Sequence, residues 1–146
     1  NLDRALAQAD LTAKECRDRR NQLIDEFHLR EFIDRRGFQL SGGERRRCEV
    51  ARALAVGRDG PQYLLLDEPF AGVDPLAVAD LQSLIQSLRH RGMGILITDH
   101  NVRETLAITD RATILNDGAI LASGRAEHVS KDPLVRRYYL GEDFQL

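Results

Sequence analysis

Tyr63-Leu64-Leu65-Leu66-Asp67-Glu68-Pro69-Phe70-Ala71-Gly72-Val73-Asp74-Pro75 is the stretch that decides the fold class. Its first four residues form a continuous apolar run, the pattern of a buried parallel strand, which stops at two acids and a proline. Asp74-Pro75 then supplies an N-cap and a proline suited to the first helical position. Ala77, Leu81, Leu84, Ile85 and Leu88 follow at helical spacing, and a second apolar run, Ile95-Leu96-Ile97-Thr98, comes after them. Strand, helix and strand make a βαβ unit. The crossover in such units is right-handed in nearly all cases, so the two strands are expected to be parallel, with the residues just after each on one sheet edge. Ligands of open α/β sheets bind beyond that edge. Asp67, Glu68 and His100 fall there.

Upstream, residues 1–36 are strongly charged, with Cys16, Leu23, Ile24 and Phe27 at helical offsets and Gly37 punctuating the end. Ser41 opens a further helix whose apolar stripe is Cys48, Ala51, Leu54 and Ala55. Arg45, Glu49 and Arg52 are spaced to pair on its other face, and Gly57 marks its end. The expected organisation is a helical subdomain over 1–57 and part of an α/β core over 58–146. Downstream, residues 112–115 and 119–122 flank Asn116-Asp117-Gly118, a hairpin signature. Asp132-Pro133 opens a last short helix that Gly141 ends.

Composition narrows the function. The 146 residues are 42% apolar and 30% charged, with 21 Lys+Arg against 23 Asp+Glu and a formal charge of −2. That balance argues against a general nucleic-acid binder, which carries a basic excess or stripe. The local basic runs, at Arg17, Arg19 and Arg20 and at Arg45, Arg46 and Arg47, read as solvated helix faces. Two cysteines, Cys16 and Cys48, form neither a disulfide framework nor a zinc spacing, which suits a reducing cytosol. No apolar run reaches the ~18–20 residues of a membrane span, and no signal peptide opens the chain, so a membrane role is expected to be peripheral. Repeats and low-complexity tracts are lacking.

Three stretches carry chemistry, and each has two readings. In Leu40-Ser41-Gly42-Gly43-Glu44, Ser41 and Glu44 have the spacing of a capping box that needs no ligand. The same stretch brings bare N–H groups of two glycines to a helix N-terminus, where donors and dipole favour phosphate. Asp67-Glu68 reads as a turn with a capping acid, or as a pair with divided tasks in phosphoryl chemistry: Asp67 for Mg²⁺, directly or through water, and Glu68 for orienting the attacking water. His100 reads as a surface residue, or as a ring able to hydrogen-bond a terminal phosphate and that water.

Order and spacing join these stretches. Leu40-Ser41-Gly42-Gly43-Glu44, Leu64-Leu65-Leu66-Asp67-Glu68-Pro69, Ala71-Gly72-Val73-Asp74-Pro75 and Thr98-Asp99-His100 resemble, in sequence, the signature, Walker B motif, D-loop and switch histidine of ABC ATPases. The resemblance covers nearly the whole chain. It implies the carboxy-terminal part of an ABC-type P-loop NTPase: a parallel sheet with flanking helices, an N-terminal helical subdomain and a C-terminal β-hairpin. It also implies ATP and Mg²⁺ as ligands and a head-to-tail homodimer. In that dimer Ser41, Gly42, Gly43 and Glu44 face ATP held by the opposite copy, while Asp67, Glu68 and His100 serve their own copy's site and Ala71, Gly72, Val73 and Asp74 form the D-loop.

Phe70-Ala71-Gly72-Val73-Asp74-Pro75, Ile97-Thr98-Asp99-His100-Asn101-Val102-Arg103-Glu104-Thr105 and the terminal Tyr139-Leu140-Gly141-Glu142-Asp143-Phe144-Gln145-Leu146 are similar to the ATPases of bacterial lipopolysaccharide export. That likeness implies a cytoplasmic subunit, peripheral on the cytoplasmic face of the inner membrane, bound to two transmembrane transporter subunits and to no nucleic acid. Branched-chain amino-acid importer ATPases are the nearest rival, but they usually read Glu-His-Asp around the histidine. Non-transport relatives acting on DNA or ribosomes insert coiled coils or carry tandem domains, whereas about twenty residues separate the signature from the Walker B strand here.

The family also needs a Walker A loop, GxxxxGK[ST], whose amides and lysine cradle phosphates. Gly37 and Gly42 have its glycine spacing, but Gly43 stands where lysine is required. The loop, the Q-loop glutamine and the adenine-stacking aromatic are therefore expected to precede Asn1. Two consequences are expected: the 146-residue chain alone does not turn over ATP, and it leaves an open sheet edge and an uncovered apolar face that favour association.

Overall fold

Helices gather at the amino-terminal end of the computed structural model, which describes residues 2–141. α1 (Leu2–Leu6) packs on α2 (Ala13–Glu26). α2 starts where it does because Thr12 and Glu15 close a capping box, with Thr12 N–H donating to Glu15 Oε2 at 2.7 Å. Two short 3₁₀ turns, Arg30–Phe32 and Gly37–Gln39, lead to α3 (Gly42–Leu54). Leu23, Ile24 and Phe27 are buried as the spacing predicts, and Cys16 is half-buried.

On α3, Ala51 and Leu54 turn inward with Val50, and Ala55 is buried just past the helix. The predicted pairing of Glu49 with Arg45 and Arg52 gives way to Arg46, whose Nη1 donates to Glu49 Oε2 at 2.8 Å. The basic runs are likewise only partly solvated faces. Arg17 and Arg45 are exposed, but Arg19 donates to the Leu54 carbonyl, Arg20 pairs with Asp3, and Arg47 lies over the Phe32 ring. These arginines have carbonyls, acids and a ring within reach from other elements, contacts that a charge pattern along one helix does not contain.

β1 (Tyr63–Asp67), α4 (Pro75–His90) and β2 (Gly94–Thr98) form the expected βαβ unit. The strands are parallel, in register from Tyr63 opposite Gly94 to Asp67 opposite Thr98. Asp74 Oδ1 accepts from Ala77 N–H at 3.0 Å, so α4 begins on a side-chain cap followed by proline. Val78, Leu81, Ile85 and Leu88 point inward and join Leu64, Val50 and Leu54 in a hydrophobic cluster that runs from Leu6 to Ile108 and spans residue 57.

The apolar runs are not buried on both faces. Leu64 is buried and Leu66, Ile95 and Ile97 pack against the cluster, but Leu65 is 73% and Leu96 61% exposed, with Tyr63 beside them. Successive strand residues point to opposite faces, and helices α3 and α4 cover only the Leu64 face. The apolar outer face therefore lies open, as the sequence suggests.

After α5 (Val102–Leu106) comes the hairpin β3 (Arg111–Asn116) and β4 (Ala119–Arg125), antiparallel with a register shift at Ile114/Leu115. Its two-residue loop has Asp117 at φ 48° and Gly118 at φ 76°, both in the left-handed region that such tight turns demand. α6 (Ala126–Val129), α7 (Pro133–Val135, capped by Asp132) and a π-helical turn (Arg136–Leu140) close a second cluster of Leu106, Ile114, Ala126, Val129 and Val135. Asn1 and residues 142–146, including the end of the terminal motif, lie outside the described residues.

Candidate functional site

The carboxyl edge of the β1/β2 pair collects the acids and the histidine. Asp67 is the last residue of β1 and lies exposed opposite Thr98, whose Oγ1 donates to its carboxylate. Glu68 follows at φ 46°, a left-handed conformation rare for a non-glycine residue. Its backbone is held on three sides: Glu68 N–H donates to the Thr98 carbonyl at 2.7 Å, and its own carbonyl accepts from Ala71 N–H at 3.2 Å and from Arg46 Nη2 at 3.1 Å. Its side chain is left free toward solvent, 55% exposed, with Oε1 3.4 Å from Nδ1 of His100. Thus the structure brings Asp67, Glu68 and His100 together, as the βαβ reading predicts.

The signature stretch is built differently. Ser41 N–H donates to Glu44 Oε2 at 2.8 Å, and Ser41 Oγ accepts from Glu44 N–H at 3.2 Å, so the capping box is formed. Glu44 also meets Arg35 at 3.3 Å. The Ser41 N–H first, then the Ser41 hydroxyl, Arg35 and Arg47, hold the Glu44 carboxyl below its usual range against some desolvation. In the cap Ser41 Oγ accepts from Glu44 N–H, and a ligand anion would have to draw its O–H away from the Glu44 carboxyl.

The glycines have a steric reason of their own. A Cβ on Gly42 would lie 2.4 Å from the Gly72 carbonyl oxygen, and one on Gly43 would lie 2.5 Å from Ala77 Cβ. The N-terminus of α3 is therefore packed onto the turn that holds Ala71, Gly72, Val73 and Asp74, while Asp74 caps α4. Through this contact α3 is seated on the 71–74 turn, which follows the Glu68 turn in the chain.

Among the described residues no group of three or more His, Cys, Asp or Glu side chains converges on a metal position. The donors present suit Mg²⁺ nevertheless, because that ion is commonly held by one or two carboxylates plus phosphates and water. Asp67, exposed at the strand end, is such a carboxylate. A groove of about 580 Å³ lined in part by Arg19, Tyr63, Arg91 and Gly94 lies at the opposite ends of the strands, away from these acids.

Two contributors were not foreseen from the sequence. Arg46 reaches the Glu68 carbonyl across 22 residues, which no local pattern announces. Asp99 accepts from Asn101 N–H at 2.8 Å and from Phe70 N–H at 2.9 Å. The first of these is a local Asx bond that an Asp two residues before Asn could have signalled.

Comparison with known proteins agrees with this geometry. Residues 2–71 match the family model described as ABC transporter. The whole chain is 51% identical over 146 residues to the lipopolysaccharide export system ATP-binding protein LptB of Acidithiobacillus ferridurans, covering 59% of that protein. It is 53% identical over 137 residues, 94% of this chain, to LptB of Escherichia coli strain K12, covering 56% of it. The chain thus spans somewhat over half the length of these curated relatives. MJ1267, an ATP-binding cassette of an ABC transporter, shares the fold with a TM-score of 0.75 at 30% identity, over 87% of this chain and 51% of that one. Motif order, sheet-edge geometry and sequence identity agree: the chain carries an ABC transporter match over residues 2–71 and is similar, at 51–53% identity, to ATP-binding proteins of ABC transporters.

Proposed function

We propose that this chain carries the hydrolytic edge and the signature of an ATPase subunit that energises a transporter, of the lipopolysaccharide-export kind. The observation that carries the reading is the convergence of Asp67, Glu68 and His100 on one sheet edge, with Glu68 Oε1 and His100 Nδ1 3.4 Å apart. The identity to LptB proteins supports the choice of transporter.

In this reading Glu68 orients and polarises the attacking water, and His100 hydrogen-bonds the terminal phosphate and that water. Asp67 would hold Mg²⁺, which would supply charge neutralisation at the phosphates. Ser41 O–H and the N–H groups at Gly42 and Gly43 meet the γ-phosphate of ATP on a second, head-to-tail copy. The 71–74 turn, packed on Gly42, links the two sites. Two transmembrane partners couple hydrolysis to movement of the substrate at the cytoplasmic face of the inner membrane. No helix among the described residues is long and apolar enough to cross a membrane itself.

The 146-residue chain by itself is expected not to turn over ATP. No GxxxxGK[ST] loop occurs in it, so several charge-assisted phosphate contacts of about 1.5–3 kcal/mol each are missing. The test uses a complete subunit bearing this sequence together with a Walker A loop. Glu68→Gln is expected to lower kcat by about 10²–10⁴-fold with ATP binding retained. Unchanged turnover in that variant would overturn the assignment of Glu68.

A further inference from the structure

The Asp99 side chain is 0% exposed, and its Oδ1 lies 3.8 Å from Nδ1 of His100. A carboxylate is costly to bury unless its oxygens are hydrogen-bonded. Both oxygens of Asp99 are. Oδ2 accepts from Phe70 N–H at 2.9 Å, and Oδ1 accepts from Asn101 N–H at 2.8 Å and from Asn101 Nδ2 at 3.0 Å. The donors come from two different turns. Phe70 lies within the turn that begins at Glu68 and is closed by Ala71 N–H, and because Pro69 has no N–H, the Phe70 amide is the first donor after Glu68. Asn101 immediately follows His100.

The geometry points to Asp99 as a positioning residue for the proposed hydrolysis: its carboxylate clamps the Glu68 turn to the His100 turn and so sets the spacing of the two side chains. Glu68 needs such a clamp. Its φ of 46° is unfavourable for a side-chain-bearing residue, so the turn persists only where neighbours hold it. The bonds from Glu68 N–H to Thr98 and from Arg46 to the Glu68 carbonyl fix the near side of the turn. The Phe70 bond fixes the far side, where Phe70 is itself only 2% exposed. Only a carboxylate satisfies this site, because both oxygens must accept. An asparagine offers one acceptor, and its NH₂ group would oppose one of the N–H donors.

This inference rests on the hydrolytic reading of Glu68 and His100, and its test separates the two. In the complete subunit, Asp99→Asn is compared with wild type, Glu68→Gln and His100→Ala by steady-state ATP hydrolysis and by amide hydrogen exchange. The expected result has three parts. Exchange at Phe70 or Asn101 accelerates at least about tenfold while β1 and β2 amides keep their protection. The kcat falls about tenfold or more, with KM for ATP within about twofold, as displacement of placed groups predicts. In the His100→Ala background, Asp99→Asn costs less than in wild type, because the geometry it maintained is already lost. Unaltered exchange at both amides, additive losses with His100→Ala, or a KM rise matching the kcat fall would overturn the clamp. Should Glu68→Gln keep full turnover, the hydrolytic reading fails, and the exchange rates at Phe70 and Asn101 still decide whether Asp99 joins the turns. If Asp99→Asn does not fold, Asn101→Ala, which withdraws a side-chain donor from Oδ1, is expected to give a smaller loss of kcat of about threefold at unchanged KM. No loss there would count against the clamp.

Discussion

The turn at 41–44 and the turn at 67–70 divide labour in opposite ways. In the first, side chains serve the fold: Ser41 and Glu44 cap each other, and the two glycines exist because Gly72 and Ala77 leave no room for a Cβ. What remains for a ligand is chiefly backbone N–H. In the second, the backbone serves the fold. Glu68 is bonded at its N–H and carbonyl and held at an unfavourable φ, so its carboxylate and the His100 ring are free to act. In the proposed reading, the recognition surface is built from capped backbone, whereas the hydrolytic edge exposes side chains on a clamped one.

Three stability measurements probe that contrast, with E68Q as its kinetic counterpart. Gly42→Ala is expected to have the largest effect, a loss of about 1–3 kcal/mol in urea unfolding, because the new Cβ meets a backbone carbonyl that cannot swing aside. A neutral result would mean that α3 is not seated on the 71–74 turn. Glu68→Gly is expected to act with the opposite sign. Relief of the positive φ should offset the flexibility glycine adds to the unfolded chain, giving no loss and up to about 1 kcal/mol of gain while hydrolysis disappears. A clear destabilisation would show that the Glu68 side chain serves the fold after all.

The smallest effect belongs to Glu44. Its folded carboxyl lies below the ordinary value of 4.5, chiefly through the Ser41 N–H, so its contribution is present above that value and fades as pH falls through the lowered one. Glu44→Gln should therefore differ from wild type at neutral pH and converge with it in acid, as read from Tm against pH. A difference constant with pH would remove the charge from the account of this turn.

Much of this was legible in the sequence. The βαβ unit, the sheet-edge placement of Asp67, Glu68 and His100, the Ser41–Glu44 box and the Asp117-Gly118 hairpin all follow from local rules: apolar runs, caps and residues that tolerate positive φ. The rest depends on contacts between distant segments. Arg46 on the Glu68 carbonyl, Asp99 on the Phe70 amide and Gly42 under Gly72 link elements whose relative placement no periodicity encodes. Leu65 and Leu96, which their apolar runs taken alone would bury, lie exposed for a related reason. An apolar run states that both faces of a strand suit a core, and the covering of each face is decided by other elements.

The central claim, that the 41–44 turn serves one ATP while Asp67, Glu68 and His100 serve another, is tested most directly by mixing variants. Complete subunits bearing Ser41→Arg and complete subunits bearing Glu68→Gln are each inactive in this account. In a mixed head-to-tail pair, one site would carry both lesions and the other neither. Hydrolysis should therefore reappear on mixing, at a fraction of the wild-type rate set by the share of mixed pairs. If mixing restores nothing although mixed pairs form, the two turns act on the same ATP and the division of labour is contradicted.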